Sequence, residues 1–89
     1  VKLEASVLGS YVGEYQLTPE FAIVVTREGD QLFIQATGQA KVPIYAESET
    51  QFFLKVVDAQ ITFSRDGSGR VTRLVLHQNG RDTPGEKIR

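Results

Sequence analysis

Phe21-Ala22-Ile23-Val24-Val25-Thr26-Arg27-Glu28-Gly29-Asp30-Gln31-Leu32-Phe33-Ile34-Gln35-Ala36 is the stretch that decides the fold. Two runs rich in β-branched and aromatic residues flank Gly29-Asp30, the composition of a two-residue hairpin turn. With that turn Val25 faces Ile34, Arg27 faces Leu32 and Ile23 faces Ala36, while Thr26 and Phe33 share the opposite face. One face is mostly apolar, so the hairpin has a side to lay on a core.

The same test works further along the chain. Asn79-Gly80 tolerates the positive φ angles of a type I′ turn at least cost. It sets Leu76 against Thr83 on one face and, on the other, His77 against Asp82, Arg73 against Glu86 and Val71 against Ile88. A four-residue Asp66-Gly67-Ser68-Gly69 loop sets Phe63 against Thr72 and Ile61 against Leu74. The expected inner set is Ile23, Val25, Leu32, Ile34, Ile61, Phe63, Leu74 and Leu76.

Glycine-marked turns recur at the spacing of an all-β sandwich or barrel. Strands are expected near Gly13 to Leu17, Phe21 to Glu28, Gln31 to Thr37, Lys41 to Ala46, Thr50 to Val56, Gln60 to Arg65, Val71 to Gln78 and Arg81 to Ile88. Leu3 to Gly9 has room for one or two helical turns, with Gly9 as their stop. Pro43 and Pro84 cannot donate to a ladder and belong at bulges or beside a seam. The expected fold is all-β: a small eight-stranded antiparallel up-and-down barrel with a short N-terminal helical turn, and a β-sandwich as the alternative. Short strands and bulky Phe and Leu residues imply a filled interior, without an apolar pocket above about 300 Å³.

At 89 residues one domain, 1–89, is the ceiling. Ten Lys and Arg against eleven Asp and Glu give a net charge of −1 with no basic block, which argues against nucleic-acid binding. There is no cysteine, hence no disulfide framework and no thiolate metal site. No apolar run reaches the roughly 18 residues of a membrane helix, and Val1-Lys2-Leu3-Glu4 lacks the apolar core of a signal peptide. The chain has no methionine, initiator included, so it is expected to be a fragment of a longer product.

Residues able to do chemistry are sparse. His77 is the single histidine, without the partners of a triad or a zinc site, and opposite Asp82 it reads as a surface residue. Asp66-Gly67-Ser68-Gly69 lacks the alternating acidic ligands of a calcium loop and reads as a turn. Glu47 and Glu49 have no third acidic residue converging on them. None of Ser6, Ser10, Ser48, Ser64 and Ser68 has a lysine three residues on, and no Gly-x-Ser-x-Gly or phosphate-binding glycine loop occurs. No catalytic, cofactor-binding or metal-binding residue is expected, and no cofactor.

Leu8, Tyr11-Val12-Gly13-Glu14-Tyr15, Gly29-Asp30-Gln31-Leu32, Gly38 and Leu74-Val75-Leu76-His77-Gln78-Asn79-Gly80 together resemble the small lipocalin-like domain that extends the C-terminus of β-lactamase-related, penicillin-binding-protein-like serine peptidases and hydrolases. Phe52-Phe53-Leu54 and Ile61-Thr62-Phe63 are similar to that family's central strands. The resemblance implies a barrel packed beside a catalytic domain, where it shapes access to the active site or supports assembly. The family's catalytic residues lie in that other domain, and none is carried onto this sequence. The resemblance also implies an extracytoplasmic bacterial location, periplasmic or secreted, while the residues themselves leave the compartment open.

Gly13 between two tyrosines suits a close backbone approach or a bulge. Tyr11 and Tyr15 can then close one end of the barrel, their hydroxyls reaching water or backbone.

The expected function is a non-catalytic accessory domain, with a small carrier for an apolar ligand as the alternative and an independent enzyme as a third class. Its expected partner is a catalytic domain of the same chain or another copy of itself, without nucleic acid, membrane span or bound ligand. Parity supplies a candidate docking surface: with Leu32, Ile34, Leu74 and Leu76 inward, Phe33 and Val75 point out. The same alternation turns one of Phe52 and Phe53 outward, and Phe53 joins the candidates.

Overall fold

A computed structural model describes residues 3–89; Val1 and Lys2 of the expected 1–89 domain lie outside the described residues. One helix, α1 (Ala5–Tyr11), precedes eight strands: β1 (Gly13–Thr18), β2 (Phe21–Glu28), β3 (Gln31–Ala36), β4 (Val42–Ala46), β5 (Gln51–Phe53), β6 (Ala59–Arg65), β7 (Val71–Gln78) and β8 (Arg81–Lys87). Each strand pairs antiparallel with the next, and β8 returns to β1 through Tyr15 with Lys87 and Gln16 with Glu86. The sheet closes into a barrel, which removes the sandwich alternative.

The β2–β3 register is the one the turn dictates: Val25 with Ile34, Arg27 with Leu32, Ile23 with Ala36 and Thr26 with Phe33. In β7–β8, Leu76 meets Thr83, His77 meets Asp82 and Arg73 meets Glu86, around Asn79 (φ 54°) and Gly80 (φ 74°). Two-residue turns leave no freedom of register, so sequence suffices there.

The β6–β7 connection differs from expectation. Arg65 pairs with Val71, so the loop holds five residues, and a bulge follows at Thr72, which puts Phe63 opposite Leu74 and Ile61 opposite Leu76. The cause is Asp66, whose carboxylate accepts from the backbone N–H of Ser68 at 2.9 Å and of Arg70 at 3.1 Å, and from the Ser68 hydroxyl at 2.6 Å. These hydrogen bonds hold the Asp66 carboxyl below the usual carboxylate range and draw Arg70 into the loop. The slip is two residues, and a two-residue slip preserves faces, so the expected inner set survives. The bulge does reverse phase at the start of β7. Val71, expected outside against Ile88, is 3% exposed and part of the core, while Ile88 is 50% exposed.

Two further elements depart from the sequence reading. The helix runs through Gly9 to Tyr11, because Leu8 and Tyr11, one turn apart, both bury. That burial outweighs the roughly 1 kcal/mol that glycine costs inside a helix. β5 ends at Phe53 instead of Val56, since the Leu54 N–H turns to the Ala59 carbonyl and the chain leaves the wall. The strand propensity of Val56 and Val57 goes unused for want of a neighbour. A short β5 explains Pro43, which pairs with Phe33 on one side and lies beyond the β4–β5 ladder on the other. Pro84 likewise sits on β8 past the residues that pair with β1.

Seven of the eight expected inner residues are buried, and Leu76 packs against them partly covered. Aromatic rings gather near the helix. Tyr11 stacks on Phe63 at 4.2 Å between ring centres, and Phe52 stands edge-on to both.

Candidate functional site

The two ends of the barrel are built differently. At the helix end, fully buried Tyr11 and Tyr15 act as a plug, as their spacing around Gly13 suggests. The Tyr11 hydroxyl donates to the Glu49 carbonyl and accepts from Arg65 Nη2 at 3.1 Å, with the guanidinium 5.2 Å from its ring centre. The Tyr15 hydroxyl donates to the Tyr11 carbonyl at 2.8 Å, tying the helix to β1. Every polar group in this plug has a partner, which is what permits its burial.

Burial raises both tyrosine hydroxyls above the ordinary value near 10, for Tyr11 against the opposing pull of Arg65. The folded state thus binds these protons more tightly than the unfolded state. Stability from this source is complete below pH 10 and is lost as pH rises through the folded values. Urea midpoints are expected to hold level between about pH 7 and pH 9 and to fall above pH 10, less steeply in Tyr15→Phe than in the unchanged chain. Parallel declines in the two proteins would contradict this.

At the opposite end the interior is not filled. A cavity of about 330 Å³ opens between the β1–β2, β3–β4, β5–β6 and β7–β8 connections. Ile23, Ile34 and Leu76 are among the inward residues that line it, and Leu54, Val56 and Val57 belong to the segment that leaves the wall after β5. This corrects the expected absence of an apolar pocket, and the cause is size. Ala36 and Ala59 occupy inward wall positions here, whereas the plugged end has Tyr11, Tyr15, Phe52 and Phe63. Among the described residues, none that lines it carries a charge. Val56 and Val57 are 63% and 47% exposed.

His77 lies outward as expected, with Nδ1 2.7 Å from Asp82 Oδ1. Its Nε2 is also 2.9 Å from Thr62 Oγ1, a neighbour that the two-residue slip between β6 and β7 hid from the sequence reading. The hydroxyl–imidazole–carboxylate order is that of a nucleophilic triad. However, Thr62 sits mid-strand, paired with Gln51 on one side and Val75 on the other, so the backbone groups around it belong to ladders. An oxyanion needs free donors beside the nucleophile, and the row reads instead as a cross-strand polar ladder. Among the described residues no group of three or more His, Asp or Glu is placed to hold a metal ion. Glu49 serves the plug through its carbonyl, and Glu47 donates its N–H to the Gln51 carbonyl.

The candidate docking residues are all half-buried and outward. Phe33 pairs with Pro43, and Tyr45 pairs with Phe53 at 5.6 Å between rings, so β3, β4 and β5 carry one continuous apolar strip. Lys41 Nζ lies 4.9 Å from the Phe33 ring centre and Lys55 Nζ 4.2 Å from that of Tyr45. Of the two phenylalanines in β5 the inward one is Phe52. Val75 lies between Thr62 and Pro84 on β7, four strands from β3 in an eight-stranded ring, and therefore on the far side from Phe33. No helix among the described residues is long and apolar enough to cross a membrane.

The family described as Domain of unknown function (DUF3471) matches residues 1–87. The chain is 28% identical over 78 residues to penicillin-binding protein 4* of Bacillus subtilis (strain 168), a stretch that takes up 88% of this chain and 17% of that protein. No solved structure matches it.

Proposed function

Because the chain belongs to the DUF3471 family and is similar to one region of a penicillin-binding protein, we infer that it is a non-catalytic accessory domain of a β-lactamase-related serine hydrolase or peptidase. In this reading it docks on the catalytic domain of the same chain or on another subunit, and shapes active-site access or assembly. The observation that carries it is the match itself: nearly all of this chain corresponds to 17% of a much longer protein, so a module of this kind works beside other parts. The sparse chemistry of the barrel agrees, since no serine has the Ser-x-x-Lys spacing and the single histidine lies in a cross-strand row between the Thr62 hydroxyl and the Asp82 carboxylate.

The strip of Phe33, Pro43, Tyr45 and Phe53 supports a docking face on β3 to β5, because contiguous outward apolar side chains mark interfaces where scattered ones do not. Val75, on the opposite side, would belong to a second contact. The test is the double substitution Tyr45→Ser with Phe53→Ser, made in the 89-residue chain and in the full-length parent protein. The chain alone is expected to lose about 1–2 kcal/mol, the size of cross-strand aromatic pairing. The parent should lose subunit assembly or turnover at a temperature where its fold persists. A folded parent with unchanged stoichiometry and unchanged turnover would remove this face from the proposal.

A further inference from the structure

We propose that the open end of the barrel is a binding site for a small uncharged amphiphile, a slender hydrocarbon chain carrying a neutral hydrogen-bonding head. Its volume, about 330 Å³, falls at the lower end of the roughly 300–1,000 Å³ typical of small-molecule sites. The walls are largely apolar, with Ile23, Ile34, Leu54 and Leu76 joined by Phe21, so a hydrocarbon gains by leaving water.

The polar side chains in the lining are those of Gln39 and Gln78. Among the described residues neither side-chain amide has a hydrogen-bond partner, in contrast to Gln31, whose amide donates to the Ile44 carbonyl at 2.7 Å, and Gln35, whose amide donates to the Gln39 carbonyl at 3.1 Å. A primary amide offers donors and an acceptor together, which suits an alcohol, ester or amide head. A charged head would leave water for a lining without a counter-charge, at a cost that neutral heads escape.

Concavity favours a small molecule over a protein segment. Ile23 and Ile34 belong to the inner wall of the barrel, reached only from its end, so a narrow chain fits and a flat protein surface does not. The inference is independent of docking through the β3 to β5 strip, which lies on the outer wall.

The probes are 1-octanol and octanoate, titrated near neutral pH into the 89-residue chain, whose barrel closes on itself, with backbone amide shifts followed by NMR. The expected result is saturable shifts at Gln39, Val57 and Gln78, with octanol at least about tenfold tighter than octanoate. Ala36→Phe, which fills the cavity from the wall, should weaken octanol by about tenfold or more. Ala40→Phe does the same from an exposed rim position and covers the case in which the wall variant fails to fold. Shifts that stay linear to the solubility limit of octanol overturn the proposal. So does an affinity that a folded filling variant leaves unchanged. Octanoate binding as tightly as octanol would replace the neutral head with an anionic one, met by Arg81 across the turn from Gln78, and would equally overturn it. A fourth outcome, no octanol binding together with loss of parent assembly in Val57→Asp, would assign this end to a protein partner instead. Failure of the outer docking face is read separately, from Tyr45 and Phe53 variants that leave this cavity intact.

Discussion

Tyr11→Ala is expected to remove about 3–5 kcal/mol of folding free energy, a large share of the roughly 5–13 kcal/mol that a chain of this size holds. Three losses coincide at this residue. Its ring is fully buried and stacks on Phe63, so truncation opens a void among Phe52, Phe63 and Leu8. Its hydroxyl satisfies the Glu49 carbonyl and accepts from Arg65, so both groups are left without that partner. Its backbone carbonyl receives the Tyr15 hydroxyl, so a helix freed from the plug takes that bond with it. Tyr11→Phe separates these contributions, keeping the ring and losing about 1–2 kcal/mol with the hydroxyl. Urea unfolding followed by circular dichroism measures both. A Tyr11→Ala midpoint that gives a loss below about 1 kcal/mol would show that the barrel does not depend on its plug.

Gly13→Val is expected to cost about 2–3 kcal/mol through overpacking at the barrel seam. A Cβ at position 13 would lie 2.3 Å from the Arg89 carbonyl oxygen and 2.7 Å from Lys87 Cε. The first of these is backbone and cannot swing away, and the φ of 154° adds a conformation that side-chain-bearing residues seldom adopt. The seam has little with which to absorb the clash, because two residue pairs and the bonds among Glu14, Ile88 and Arg89 are what join β1 to β8. Amide exchange in this variant should accelerate first at Glu14 and Ile88, whose N–H groups bridge the seam. Uniform acceleration across all strands, or none, would place the strain elsewhere. An opened seam also presents two unpaired strand edges, so the variant should aggregate at concentrations where the unchanged chain does not.

How much of this was legible in the sequence depends on what fixed each feature. Gly29-Asp30 and Asn79-Gly80 are two-residue turns, and they specified four strands and their faces without outside help. The Asp66 loop defeated the same logic, since turn length there is set by which backbone donors a carboxylate captures, and composition does not reveal that Arg70 is among them. The consequence reached the candidate site: with the register two residues off, Thr62 fell opposite Arg73 and its approach to His77 was invisible. The cavity escaped for a different reason. Counting bulky residues along the strands gives a filled interior on average, whereas Ala36 and Ala59 line one end and Tyr11, Tyr15, Phe52 and Phe63 crowd the other. Outward parity located Phe33 and Val75 and left β5 a choice between Phe52 and Phe53, but only the ring order of the strands put Phe33 and Val75 on opposite sides. The family resemblance rested on Tyr11-Val12-Gly13-Glu14-Tyr15 and the hairpin turns, which are the plug, the seam and the two tightest connections.

The seam sets an order of events in time. Every ladder but one joins strands adjacent in the chain, and hairpins of that kind form within about 1–10 μs. The remaining ladder must bring together Tyr15 and Lys87, near opposite ends of the sequence, and so bears most of the loop-closure entropy of the fold. Assembly is therefore expected to run as a zipper of local hairpins that closes late into a ring. The residues at that closure, Gly13 foremost, govern how long the ring stays shut more than how quickly the strands first meet.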